Sequence, residues 1–268
     1  MQRLIMCAVL AQSASSVAVE ITAHRGASHL APENTLAAVE LGWRLGADSV
    51  EIDVYLTKDN RIVAIHDEDT KRTARVLMVV AETDFDRLRK LDVGRWKSPR
   101  WAGQRIPSLE EVLATIPDGK RLLIEVKCGP EIVPVLNEVL TKSGVDNSKY
   151  AVICFKPKVL LEVKRQMPET HVQWLVGTIP ERDKNTKQIR VNVDEVITSC
   201  LKGKFDGLSV KRDSEIDAEF VNKFHDAGLQ LHVWTVNSSR EAKRLAAHGV
   251  DAITTDQPGQ LRRALAGR

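Results

Sequence analysis

The sequence predicts a (β/α)8 TIM barrel, an α/β fold, with a small insertion after the second strand, and three observations predict it. β-rich runs and amphipathic helical stretches alternate eight times along 268 residues, the order of an α/β fold rather than of separate blocks of strands and helices. The length suits one closed α/β barrel. No glycine-rich phosphate loop follows the first β-run, as an open doubly wound sheet would normally carry.

The predicted barrel strands are 20–24, 49–56, 121–127, 150–155, 171–176, 207–210, 230–236 and 252–255, with 62–66 as an accessory strand after the second. The predicted helices are 34–45, 109–116, 131–142, 157–167, 194–202, 217–227, 239–248 and 257–265. Asn34 or Thr35 can cap the first, since a short polar side chain there accepts from an unpaired backbone N–H. Gly46, Gly144, Gly228 and Gly249 stand just past helices, where the chain turns back. One connection is abnormal. Residues 67–107 run about forty residues before the next helix, far beyond an ordinary βα loop. This segment is expected to form a small inserted subdomain that walls the site.

Composition narrows the function. Hydrophobic residues make up 43% and charged residues 28% of the chain, as in a globular protein with a full-sized core. The 39 basic and 36 acidic side chains nearly cancel, to a net charge of +3. No basic run is interleaved with aromatics, so nucleic acid is not expected as a partner. No apolar stretch is long enough for a stable membrane span. Residues 1–18 are expected to be a signal peptide: Met1-Gln2-Arg3 carries a positive charge, 4–11 is apolar, and small residues lead to cleavage at Ala14 or Ala18. On that reading the mature barrel is 19–268, exported to a periplasm or secreted; with an uncleaved or mis-assigned leader it is cytoplasmic. Cys128, Cys154 and Cys200 would then be left, an odd number without metal spacing, best read as small buried residues. The oligomeric state is not legible.

The chemistry lies at the ends of the β-runs. Glu51 and Asp53 share one face of their strand and Val50, Ile52 and Val54 the other, because side chains alternate along a strand. Glu125 and Lys127 repeat the pattern against Ile124 and Val126. Packing the apolar faces against helices points the three carboxylates into the barrel, where they repel one another unless a cation is present. An all-oxygen set favours one hard divalent cation, Mg²⁺ or Ca²⁺. His24 and His66 close their β-runs, at the barrel face where such enzymes do chemistry, and a histidine pair can act as acid and base. Asp67 follows His66, but neighbours on a strand rarely face each other. Arg25 offers a planar fork for two phosphate oxygens, and Gly26 permits close backbone approach. Glu33 is placed by position at a helix start. Trp234, grouped with His232 and Val236 on one strand face, is expected to line the pocket or the core.

The ordered strings Ala23-His24-Arg25-Gly26, Ala31-Pro32-Glu33-Asn34-Thr35, Val50-Glu51-Ile52-Asp53-Val54, His66-Asp67, Ile124-Glu125-Val126-Lys127, Val233-Trp234-Thr235-Val236-Asn237 and Thr255-Asp256-Gln257-Pro258 resemble the glycerophosphodiester phosphodiesterase family over essentially all of the chain after the leader. The resemblance implies a barrel with an insertion after its second strand. It implies that His24 and His66 form the acid–base pair, that Glu51, Asp53 and Glu125 hold one divalent ion, and that Arg25 and Lys127 contact phosphate. The implied substrates are small glycerophosphodiesters such as glycerophosphocholine and glycerophosphoethanolamine, cleaved to glycerol 3-phosphate and an alcohol. Cys154-Phe155-Lys156, Lys71 and the glycine-free stretch 74–80 depart from the family pattern and bear on pocket shape. The rival readings are a sphingomyelinase D-like phospholipase acting on intact lipids, which would expose apolar loops at the mouth, and a non-catalytic binding barrel.

Overall fold

The computed structural model describes residues 19–179, 181–182 and 189–266; the expected leader and Cys7 lie outside them. Eight parallel strands close into a barrel: β1 (Glu20–Ala23), β2 (Ser49–Leu56), β4 (Arg121–Val126), β5 (Tyr150–Cys154), β6 (Val172–Val176), β9 (Gly207–Lys211), β10 (Gln230–Trp234) and β11 (Ala252–Thr255). Closure is made by β1, which pairs with β11 through Ile21 and Ile253 and with β2 through Thr22 and Ser49. The short β3 (Ile62–Ala64) folds back antiparallel on β2 as the accessory strand. A two-stranded antiparallel pair, β7 (Glu181–Arg182) and β8 (Ile189–Val191), lies in the connection after β6.

Helices follow the strands in turn: α1 (Leu36–Arg44), α4 (Leu109–Leu113), α5 (Val133–Ser143), α6 (Pro157–Gln166), α7 (Val193–Gly203), α8 (Ala218–Asp226), α9 (Ser239–His248) and α10 (Pro258–Ala266). Thr35 caps α1 by accepting from the Ala38 N–H, which leaves Asn34 free for another task. Val50, Ile52, Val54, Ile124, Val126 and Val152 belong to the main core with the buried helix faces, such as Leu136 and Leu140 of α5. Leu123, Ala151, Ile153 and Leu175, from the opposite pleats, form a separate small cluster with Trp234. A parallel sheet covered on both faces requires this two-sided burial.

Several strands stop short of their expected ends. β1 ends before His24, β3 before Ile65 and His66, and β10 before Val236. Past those ends the backbone leaves regular strand geometry for the βα loops, although single bonds to the neighbouring strand persist, from the His24 N–H to the Thr255 carbonyl and from the Val236 N–H to the Thr254 carbonyl. The expected grouping of Trp234 with Val236 fails for that reason: pleat alternation does not continue beyond Trp234, and Val236 is buried in the main core.

The long connection contains α2 (Lys71–Ala74), α3 (Phe85–Leu88) and a core of its own around Val80, Leu88, Val93 and Ile106, shared with Val63 of β3. It is tied to the β1–α1 loop by Lys97 Nζ, which donates to the Ser28 carbonyl at 2.7 Å, and by Arg100 and Trp101, which donate to the Leu30 carbonyl. Toward the strands' N-terminal ends the interior is polar. Gln173 Nε2 lies 3.0 Å from His232 Nε2 and 3.2 Å from His171 Nε2. Burial pushes His232 down to about 3 and His171 to about 4, so both are neutral at pH 7. The described cysteines are free, with Cys154 and Cys200 buried. Among the described residues no helix is long and apolar enough to cross a membrane.

Candidate active site

A cavity of about 240 Å³ at the C-terminal ends of the strands is lined by His24, Arg25, Glu51, His66, Glu125 and Lys127 on one side. Leu123, Ile153, Phe155, Leu175 and Trp234 form much of the other. Every barrel strand or the residues just past it contributes to the lining, joined by His66 at the start of the insertion. The Trp234 ring meets Phe155 edge to face at 5.5 Å, and its indole N–H donates to the Ser209 carbonyl at 3.1 Å. Trp234 therefore does both things expected of it: it borders the cavity and packs on the inner apolar cluster.

Glu51, Asp53 and Glu125 are buried, and one oxygen from each lies within 4.8 Å of the others. Burial, then the Asp53 and Glu125 charges, raises the Glu51 carboxyl well above the carboxylate range. Glu125 is raised by burial and by Asp53, with Lys127 opposing. Asp53 ends below its ordinary value, because Arg25, Lys127 and His66 outweigh the burial that works against its charge. Glu51 Oε1 and Asp53 Oδ1 are buried without a hydrogen-bond donor; Lys127 Nζ sits 3.3 Å from Asp53 Oδ1 as an ion pair. Unpaired acceptor oxygens beside mutually repelling carboxylates suit a hard cation. The residues present fit one divalent ion, which Glu51, Asp53 and Glu125 would hold.

The cations are placed against this cluster. The Arg25 backbone N–H donates to Glu51 Oε2 at 2.8 Å, and its Nε lies 3.2 Å from Asp53 Oδ2. Arg25 takes φ +54° in the turn that leaves β1. Lys127 Nζ donates to Glu125 Oε1 at 2.6 Å. Burial works against the charge on both, but the surrounding carboxylates hold them protonated.

Each histidine is held by a carboxylate through Nδ1. His24 Nδ1 lies 2.7 Å from Asp256 Oδ1 and His66 Nδ1 lies 2.6 Å from Asp67 Oδ1. The adjacent-residue objection to Asp67 fails because β3 ends at Ala64, so no pleat separates the two side chains. Asp256 also accepts from Ser28 and Asn237, and His24 with these donors outweighs burial to hold its carboxyl below the usual range. Glu33 is not the cap. It accepts from Arg25 and Arg72. Asn34 was missed in this role: its amide donates to Asp53 Oδ2 at 2.8 Å and its carbonyl accepts the Asp53 N–H. Asp256 was also missed, although Asp256-Gln257-Pro258 directly follows the last β-run.

This fold and site define a barrel enzyme with an acidic, cation-ready cluster between two carboxylate-held histidines. Residues 24–260 match the pattern of the Glycerophosphoryl diester phosphodiesterase family. A glycerophosphodiester phosphodiesterase of Caldanaerobacter subterraneus subsp. tengcongensis is 32% identical over 245 residues, 90% of this chain and 95% of that one. A human lysophospholipase D is 27% identical over 268 residues, covering 89% of this chain and 83% of its own. The structure of an Oleispira antarctica phosphodiesterase in complex with the product sn-glycerol-3-phosphate superposes with a TM-score of 0.82 at 28% identity, covering 93% of this chain and 97% of the other. The chain belongs to the glycerophosphoryl diester phosphodiesterase family, and it is a phosphodiesterase.

Proposed function

We propose that the chain hydrolyses small glycerophosphodiesters, such as glycerophosphocholine or glycerophosphoethanolamine, to glycerol 3-phosphate and an alcohol, with His24 and His66 as the acid–base pair. The observation that carries this reading is the shared cavity: both imidazoles, Glu51 and Glu125 of the carboxylate cluster, Arg25 and Lys127 border one small space, with Asp53 buried beside them. A divalent ion bound by Glu51, Asp53 and Glu125, Mg²⁺ or Ca²⁺, would supply positive charge to the phosphodiester oxygens. Arg25 and Lys127 orient the same phosphate and offset its developing charge. With Nδ1 committed to Asp256 or Asp67, each histidine keeps Nε2 for the reacting atoms. One Nε2 takes the proton of the attacking hydroxyl as its oxygen bonds to phosphorus, while the P–O bond to the alcohol breaks and the other imidazolium protonates the departing oxygen. Attack by water gives glycerol 3-phosphate directly, whereas attack by the substrate's own glycerol hydroxyl gives a cyclic phosphate that water then opens to glycerol 3-phosphate. Trp234 and Phe155 cover the carbon skeleton of the substrate and exclude water from the apolar side.

The test is an assay of chelator-stripped protein against a panel of diesters, with each ion added back. Restoration by Mg²⁺ or Ca²⁺ on glycerophosphocholine or glycerophosphoethanolamine is expected; full turnover after stripping removes the ion from the mechanism. A second reading, cleavage of monoacyl phospholipids, is favoured by the exposed Val76 and Leu77 of the insertion, the latter 62% accessible. Lysophosphatidylcholine belongs in the same panel. Export through the leader is proposed as well, and N-terminal sequencing of protein recovered outside the cytoplasm tests it.

A further inference from the structure

We propose that Arg72, in the inserted segment, is a positioning residue for the phosphodiesterase reaction: one guanidinium clamps Glu33 and Asp67, and through them sets Arg25 and His66. The inference rests on the reading of Arg25 and His66 given above.

Arg72 lies on the short α2, outside the barrel. Its Nε donates to Asp67 Oδ2 at 2.6 Å, while its two terminal nitrogens donate to Glu33 at 2.9 and 2.7 Å. The far oxygen of Asp67 is the one that meets His66 Nδ1, at 2.6 Å. Glu33 Oε1 is shared with Arg25 at 2.9 Å. Two branches thus leave one planar cation, and each ends on a side chain that borders the cavity. Among the described residues Arg72 is the one further hydrogen-bond partner of Glu33 beyond Arg25, and of Asp67 beyond His66. The Trp96 ring, 5.9 Å from the guanidinium carbon, backs it from within the insertion.

The arrangement exceeds what stability asks of an exposed ion pair, for which about 0–1 kcal/mol is usual. Glu33 is largely buried, and three cationic donors converge on its two oxygens. A fork that binds one carboxylate with two nitrogens and another with its third is a property of arginine; an ammonium has no such plane. Without Arg72, Glu33 keeps only Arg25, and Asp67, which lies in a loop, is free to turn from His66. The insertion is thereby coupled to the geometry of both side chains.

Arg72→Ala is expected to lower kcat roughly 10- to 100-fold, the span for a partner that orients a working group, with a smaller change in KM and the melting temperature within a few degrees of wild type. Arg72→Lys should fall between the two. Added methylguanidinium should restore part of the lost kcat in Arg72→Ala and do nothing for His66→Ala. Arg75→Ala, the neighbouring exposed arginine, should match wild type. Wild-type turnover in Arg72→Ala overturns the proposal, as does a loss that methylguanidinium leaves untouched while Arg72→Lys is equally inactive. His66→Ala separates the two levels: if it retains turnover, the reading of the site itself fails and the proposal falls with it; if it is inactive while Arg72→Ala is not, only the proposal falls.

Discussion

His24 and His66 each carry a carboxylate on Nδ1, and that shared feature equips either ring to hold or release a proton at Nε2. His24→Ala and His66→Ala are each expected to cut turnover roughly 10²- to 10⁴-fold, the range for one acid–base group, measured on glycerophosphocholine with the ion present. Near-wild-type turnover removes that ring from the reaction. Glu51 makes the opposite bargain with stability. Burial and two neighbouring carboxylates raise its folded-state carboxyl above the unfolded value, so in the ion-free protein its ionisation opposes folding at neutral pH. Glu51→Gln should therefore raise the melting temperature of chelator-treated protein while weakening ion binding measured by calorimetry. A lower melting temperature in the variant would show that its charge is satisfied without an ion. At this scale Glu51, Asp53 and Glu125 were legible from strand alternation alone. Asn34 and Asp256 were not, because nothing local marks an asparagine before a helix, or an aspartate after the last strand, as a partner for Asp53 or His24.

Between β1 and α1 the chain must turn within a few residues while placing Arg25 against Glu51. Gly26 makes this turn at φ +77°, and a Cβ there would lie 2.4 Å from the Ala38 carbonyl carbon, too close for any side chain. Gly26→Ala is expected to cost about 1–3 kcal/mol, the scale of a backbone held in a sparsely populated region, read as a drop in urea midpoint. An unchanged midpoint would mean the β1–α1 turn gives way easily. Strand β2 shows how much an element's pattern can say: alternate residues turn to the helices or to the site for as long as the ladder lasts. His66, Asp67 and Val236 lie beyond the ends of their regular strands, and there period-2 reasoning separated Asp67 from its histidine and misplaced Val236.

Across the whole barrel, the reactive end is ionic while the opposite end buries neutral imidazoles. His232 is shifted by burial from 6.5 down to about 3. The unfolded chain therefore binds a proton there that the folded one refuses, between about pH 6.5 and 3. Its contribution is intact above pH 6.5 and is lost as pH falls, with a slope of roughly 1.4 kcal/mol per pH unit for one group. His232→Gln should flatten the decline of unfolding free energy between pH 6 and 4 by about that slope, in denaturant titrations of stripped protein. An unchanged slope would place the protonation elsewhere.

Strand–helix alternation, the acidic face of β2 and the residues at the ends of β-runs are local in the chain, and local sterics and burial decide them; the barrel, its insertion and the carboxylate cluster could be read for that reason. Partner choice was decided only by closure. Asp256 meets His24 across 232 positions of chain, and Arg72 meets Glu33 across 39. Such pairs exist because β11 returns to β1 and because the insertion folds down on the β1–α1 loop. Neither distance has a signature in residue order, since hydrogen bonding between side chains depends on where the strands bring them and not on how far apart they were written.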